Sequence, residues 1–242
     1  MNILNSRQDI LIEECFEPLI DIPNDGRFLF TNPHPYEILG APYEKDESPF
    51  QLREGVLLSL IQAAKNLSKR YPGYKFRIFD AYRPVAVQEF MVKHTAQEFC
   101  KKIYGILLEE VVMEVRQESM SHALSIFAEP NTSLEAPPPH STGSAIDLTI
   151  VNAEGINLSM GSEIDELKNA HSNAFAESME PQEMIFHYNR LLLKEIMEEV
   201  GFVQLSGEWW HFSKDDQNAV FLKAKKSGEY SSLIAKYGRV LK

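Results

Sequence analysis

The 242-residue sequence predicts a single α+β domain, spanning residues 1–242. Three observations predict it. Amphipathic helical spacing recurs at 52–70 and at 182–200, and strand-type segments occur at 75–79, 144–151 and 202–212. No internal repeat or linker divides the chain into two cores.

Residues 1–50 are rich in Pro, Asn, Asp and Gly with only short apolar runs such as Phe28-Leu29-Phe30, and read as loops and short strands wrapped on the core. From Leu52 to Arg70 the positions Val56, Leu57, Leu60, Ile61, Ala64 and Leu67 share one helical face, and Tyr71-Pro72-Gly73 stops the helix. Lys75 to Phe79 alternates as a strand and delivers Asp80-Ala81-Tyr82-Arg83 at its end. Pro84 suits a first helical turn, where a missing N–H costs nothing. A helical segment over 84–139 then runs to about Phe127, broken once or twice, before a proline-rich loop. Ser144 to Val151 is the strongest strand, with Ile146, Leu148 and Ile150 on one face and Ala145, Asp147 and Thr149 on the other. A polar, irregular stretch follows to Pro181. The helix over 182–200 closes at Gly201, and Phe202–Leu205 with Glu208–Phe212 read as a hairpin turning at Ser206-Gly207.

Composition narrows the function classes. A net charge of −11 and the absence of a Lys/Arg stripe argue against nucleic acid, and Lys223 to Lys226 read as one turn of a solvated helix. No apolar run reaches the roughly 18 residues of a membrane span. The start of the chain lacks a basic segment followed by an apolar one, so a cytoplasmic protein is expected, with a periplasmic placement left open. Cys15 and Cys100 belong to no metal or redox motif. A chain this long buries about 70% of its unfolded surface without a structural metal, so a metal here would serve chemistry. A homodimer is left open.

Three short segments put ionisable groups where core residues belong: Pro139-His140-Ser141-Thr142-Gly143-Ser144-Ala145-Ile146-Asp147, Gly207-Glu208-Trp209-Trp210-His211-Phe212, and Phe79-Asp80-Ala81-Tyr82-Arg83-Pro84. Two imidazoles and a carboxylate, here His140, His211 and Asp147, are a common zinc set that leaves one position for water or substrate. Gly143 would let the loop turn so that His140 and Asp147 converge. His140 alone is more often a loop histidine than a ligand, and His211, flanked by Trp210 and Phe212, reads also as a core histidine. His34, His94, His122, His171 and His187 read as structural or surface residues. Glu208 reads as a base just outside the metal ligands. Strict alternation would place it opposite His211, so Glu208 must sit in the turn or on a bulge. Arg83, at a strand-to-helix junction, suits an oxyanion or carboxylate, although without context a surface arginine paired with a nearby Asp or Glu is the commoner case.

At these residues the chain resembles the zinc D-Ala-D-Ala dipeptidases of the VanX type. His-Ser-Thr-Gly-Ser-Ala-Ile-Asp matches their His-x-x-Gly-x-Ala-x-Asp motif, Glu-Trp-Trp-His their Glu-x-x-His motif, and Asp-Ala-Tyr-Arg-Pro is similar to their arginine motif. Met160-Gly161 with Asp165, and Asn189-Arg190-Leu191-Leu192 through Gly201-Phe202, are also similar. The resemblance covers about 52–212. It implies a hedgehog-like α+β fold, with a mostly antiparallel central sheet flanked by helices, and one zinc held by His140, Asp147 and His211. It further implies Glu208 as general base and acid, Arg83 on the scissile carbonyl and oxyanion, and Asp165 as an anchor for the amino group of D-Ala-D-Ala. Two departures stand out. Pro138 occupies the place of a serine found in some members, and the 84–139 segment is long and helical. Rival readings are a D,D- or L,D-carboxypeptidase or endopeptidase on longer murein peptides, and a non-haem Fe(II) oxygenase using the same triad. Oxygenase triads set the first His and the carboxylate closer together than the seven residues here, and leave Glu208 idle.

Overall fold

The computed structural model describes residues 6–230 and 233–241. In chain order its strands and helices are β1 (Leu11–Ile12), β2 (Leu19–Asp21), β3 (Phe28–Phe30), α1 (Pro35–Ile38), β4 (Gln51–Arg53), α2 (Glu54–Arg70), β5 (Lys75–Asp80), α3 (Val85–Tyr104), α4 (Met113–Leu124), β6 (Ala145–Val151), α5 (Pro181–Glu198), β7 (Val203–Gln204), β8 (His211–Ser213), α6 (Gln217–Ser227) and β9 (Ile234–Ala235). The central sheet has the order β3-β5-β6-β8-β7. Only the β3–β5 pair is parallel, and the other three pairs are antiparallel. With α2 and α5 against one face, this is the α+β architecture that the sequence implies. Two small pairs complete it: β2 with β4, and β1 with β9, the last joining residues more than 200 positions apart.

Both faces of β6 are buried, for different reasons. Ile146, Leu148 and Ile150 enter the main core with Leu60, Leu67 and Leu193, which α2 and α5 supply from their apolar stripes. Ala145, Asp147 and Thr149 face the other way, and Asp147 and Thr149 are polar groups taken out of water. Helices α3 and α4 pack on each other over a smaller cluster that includes Val87, Met91 and Ala123.

Three boundaries differ from the sequence-based expectation. The helix expected from Leu52 starts at Glu54, because Gln51–Arg53 pair with β2 as a strand. Pro84 caps α3 from outside rather than occupying its first turn. The second arm of the hairpin begins at His211 rather than Glu208, so residues 206–210 form a wide turn.

Candidate active site

The site is built on one row of residues crossing three strands. Asp147 on β6 is paired with His211 on β8, and on its other side with Asp80 at the end of β5. The β5–β6 register slips between Ile78 and Asp80, a bulge that brings Asp80 level with Asp147. Two carboxylates directly opposite each other repel, and Arg83 offsets this. Its Nε donates to Asp80 Oδ2 at 2.8 Å, and one terminal nitrogen lies 2.6 Å from Asp80 Oδ2 and 3.6 Å from Asp147 Oδ2. Burial pulls the Asp80 pKa up, but Arg83, helped by His34 and His140, leaves it below the usual carboxylate range. The reading of Arg83 as a surface residue is thus overturned, because its side chain is buried. It also donates to Gln88 Oε1 at 2.9 Å and the Tyr36 hydroxyl at 3.2 Å, and its guanidinium stacks on the Tyr36 ring.

His140 reaches the row from a 3-10 turn over Pro139–Thr142, which ends at Gly143 in the left-handed region (φ +70). A side chain at Gly143 would meet Leu19 Cδ2 at 2.5 Å, so both the φ and the close approach require glycine. His140 Nδ1 lies 2.7 Å from the Ala81 carbonyl and donates to it, leaving Nε2 as a lone pair. His211 Nε2 faces Ser213 Oγ at 3.3 Å, and with its proton on Nε2 donated to that hydroxyl, Nδ1 carries the lone pair. Those two lone-pair nitrogens lie 3.2 Å apart, and Asp147 oxygens lie 3.2 Å from the first and 3.0 Å from the second. Without a cation, protons on these nitrogens satisfy Asp147; with those protons displaced, the same three atoms form a ligand set facing one point. Tetrahedral zinc ligands about 2.0–2.2 Å from the metal sit about 3.3–3.6 Å from one another, slightly wider than the spacing here. The donor set fits zinc on chemistry and spacing. Burial raises the Asp147 pKa, and the two imidazoles outweigh it, holding the carboxylate ionised.

Glu208 lies in the turn before β8, which resolves the alternation problem in favour of the turn rather than a bulge. Glu208 N donates to Leu205 O and Trp209 N to Ala170 O, lifting the carboxylate to 3.8 Å from His211 Nδ1. Burial raises its pKa, against the pull of His211. Asp165 sits at φ +65 in the 152–180 loop and accepts from the Tyr36 hydroxyl at 2.7 Å. Burial pushes its pKa up to about 6, with Arg83 opposing and Asp147 adding to the rise. The loop is pinned by the buried Arg190, which donates to Met160 O, His171 O and Asn169 O.

All six residues singled out in the sequence line one cavity of about 190 Å³. Sequence reasoning missed Tyr36, Gln88 and Arg7, which share the site. Asp80 lay inside a quoted motif but was given no role. A larger cleft of about 790 Å³ runs along 157–166, and the converging donors line the smaller cavity instead.

The family model described as D-ala-D-ala dipeptidase matches residues 30–231. A D-alanyl-D-alanine dipeptidase of Synechocystis sp. is 39% identical over 239 residues, covering 96% of this chain and 95% of that one. One of Enterococcus faecalis is 28% identical over 151 residues, covering 60% and 64%. Among solved structures, the LdcB LD-carboxypeptidase is 16% identical with a TM-score of 0.45, covering 88% of this chain and 76% of the other.

Proposed function

Because the chain belongs to the D-alanyl-D-alanine dipeptidase family, we propose that it hydrolyses D-Ala-D-Ala to two D-alanines at a zinc held by His140 Nε2, Asp147 and His211 Nδ1. The observation that carries this reading is the convergence of those three donor atoms, all within 4.8 Å of one another, beside Glu208 and Arg83 in one small cavity. Zinc, when bound, supplies Lewis acidity that activates water and polarises a carbonyl. Glu208 takes the proton of the attacking water on its carboxylate and later hands it to the departing amine nitrogen. Its raised pKa makes it a stronger base for that transfer. Arg83, held by Asp80, Gln88 and Tyr36, presents fixed positive charge to the oxygen on which negative charge develops. Asp165 receives the substrate ammonium, and Tyr36 bridges it to Arg83, so both are oriented together.

The size of the cavity favours a dipeptide over longer murein peptides, since about 190 Å³ is below the roughly 300–1,000 Å³ of typical ligand sites. The test is to incubate zinc-loaded protein with D-Ala-D-Ala and, separately, with a longer peptide ending in D-Ala-D-Ala, and to assay free D-alanine. Release from the dipeptide is expected. Release only from the longer peptide would establish a carboxypeptidase instead.

A further inference from the structure

A dipeptide has two charged ends, and the residues placed so far answer only one of them. The ammonium faces Asp165, but Arg83 is assigned to the oxyanion and keeps no free pair of N–H groups with which to grip the C-terminal carboxylate as well. Its nitrogens are already engaged by Asp80, Gln88 and Tyr36. Apart from the two histidines assigned to the metal, the other basic residue lining the cavity is Arg7. It begins a short 3-10 turn, Arg7–Asp9, capped by Ser6. Among the described residues its guanidinium makes one hydrogen bond, to the Pro137 carbonyl at 3.1 Å, and no carboxylate lies within ion-pairing distance. Burial lowers its pKa against the pull of Asp216, as expected of a cation taken out of water with incomplete compensation.

The turn is clamped against this wall. Gln217 Nε2 donates to both Ile10 O and Glu135 O at 2.7 Å, tying the Arg7 segment to the loop that leads into Pro137. Pro138, which also lines the cavity, has neither an N–H nor a side-chain donor; Asn218 offers a neutral amide there, and Arg7 the positive charge that a carboxylate calls for. A planar fork with unused donors matches a carboxylate bidentately.

We infer that Arg7 forms the subsite for the C-terminal carboxylate of the substrate, so that the pocket reads a dipeptide at both ends, Asp165 at the amine and Arg7 at the acid. The inference rests on the dipeptidase reading above. It is tested with D-Ala-D-Ala and D-Ala-D-alaninamide, on the zinc-loaded wild type, Arg7→Gln and Arg7→Lys. The wild type should favour the acid over the amide by about 100-fold in kcat/KM, because the amide leaves a half-buried guanidinium unpaired. Arg7→Gln should lose at least about tenfold on the acid, almost all of it in KM, with a change of less than about threefold on the amide. Arg7→Lys should recover part of the loss, which also covers the case in which the glutamine variant folds poorly. Equal losses on acid and amide, or a loss confined to kcat, would overturn the carboxylate subsite alone. No turnover of D-Ala-D-Ala by the wild type would overturn the dipeptidase reading and the subsite with it.

Discussion

Asp165→Asn separates what this residue costs the fold from what it offers a substrate. In the folded protein Asp165 holds its proton up to about pH 6, against an ordinary value of 3.8. The native state therefore binds the proton more tightly than the unfolded chain does. Stability from this group is full below about pH 4, declines as pH rises toward 6, and stays lost above it. A shift of about two units corresponds to about 3 kcal/mol, and partial solvent contact at Asp165 should reduce the realised value to about 1–2 kcal/mol. Asparagine keeps the shape and can still accept from the Tyr36 hydroxyl, but never carries the charge. Asp165→Asn should thus be more stable than the wild type by about 1–2 kcal/mol at pH 8, and the difference should vanish near pH 4. Urea denaturation of the metal-free proteins at both pH values measures this, since a bound cation would itself favour the charged form. The same variant should raise KM for D-Ala-D-Ala by about tenfold or more, through loss of the ammonium partner. A variant that is less stable at pH 8, or a difference that does not change with pH, would refute the account of Asp165 as a carboxylate charged at the expense of the fold.

Other outcomes follow from the same geometry. Glu208→Gln should retain zinc, measured by metal analysis, while kcat falls by about 100- to 10,000-fold, because the amide cannot accept the proton of water. Adding zinc to metal-free wild type should raise the melting temperature, by about 2.7 kcal/mol of stability at 100 times the dissociation constant; His140→Ala should abolish that response. Gly143→Ala should destabilise the protein by about 2 kcal/mol or more in denaturant titration, since it combines φ +70 with a contact at 2.5 Å to Leu19.

What the sequence made legible were residues whose chemistry conflicts with their surroundings. An aspartate in the middle of Ala145–Val151 has to be compensated, and the histidines at 140 and 211 are the partners that the fold brings to it. Even the demand that Glu208 leave the strand followed from side-chain alternation alone, and the turn satisfies it. Less was legible where a role depends on distant pairing. Tyr36 lies in a proline-rich stretch with no periodicity and reaches the site only because β3 pairs parallel with β5. Asp80 becomes a neighbour of Asp147 through a one-residue register slip, which no local pattern announces. Arg7 depends on a contact with residues 130 positions away. The helix start at Glu54 was obscured for a related reason, because Leu52 fits both the apolar stripe of α2 and the β4 strand that precedes it.

The pairing of β1 with β9 also sets a timetable. A chain made from its N-terminus at about 5–20 residues per second exposes Leu11 and Ile12 at least about 10 s before Ile234 and Ala235 exist to pair with them. Gln217, which clamps the segment next to β1, arrives nearly as late. Strands β5 and β6, with the two helices behind them, can assemble long before that. The metal ligands on β6 and in the turn before it precede the wall that carries Arg7, so that wall is the last part of the pocket to close. Contacts of such long range are also the slowest to form on refolding. A refolding experiment should therefore recover the central sheet first and discrimination between acid and amide substrates last.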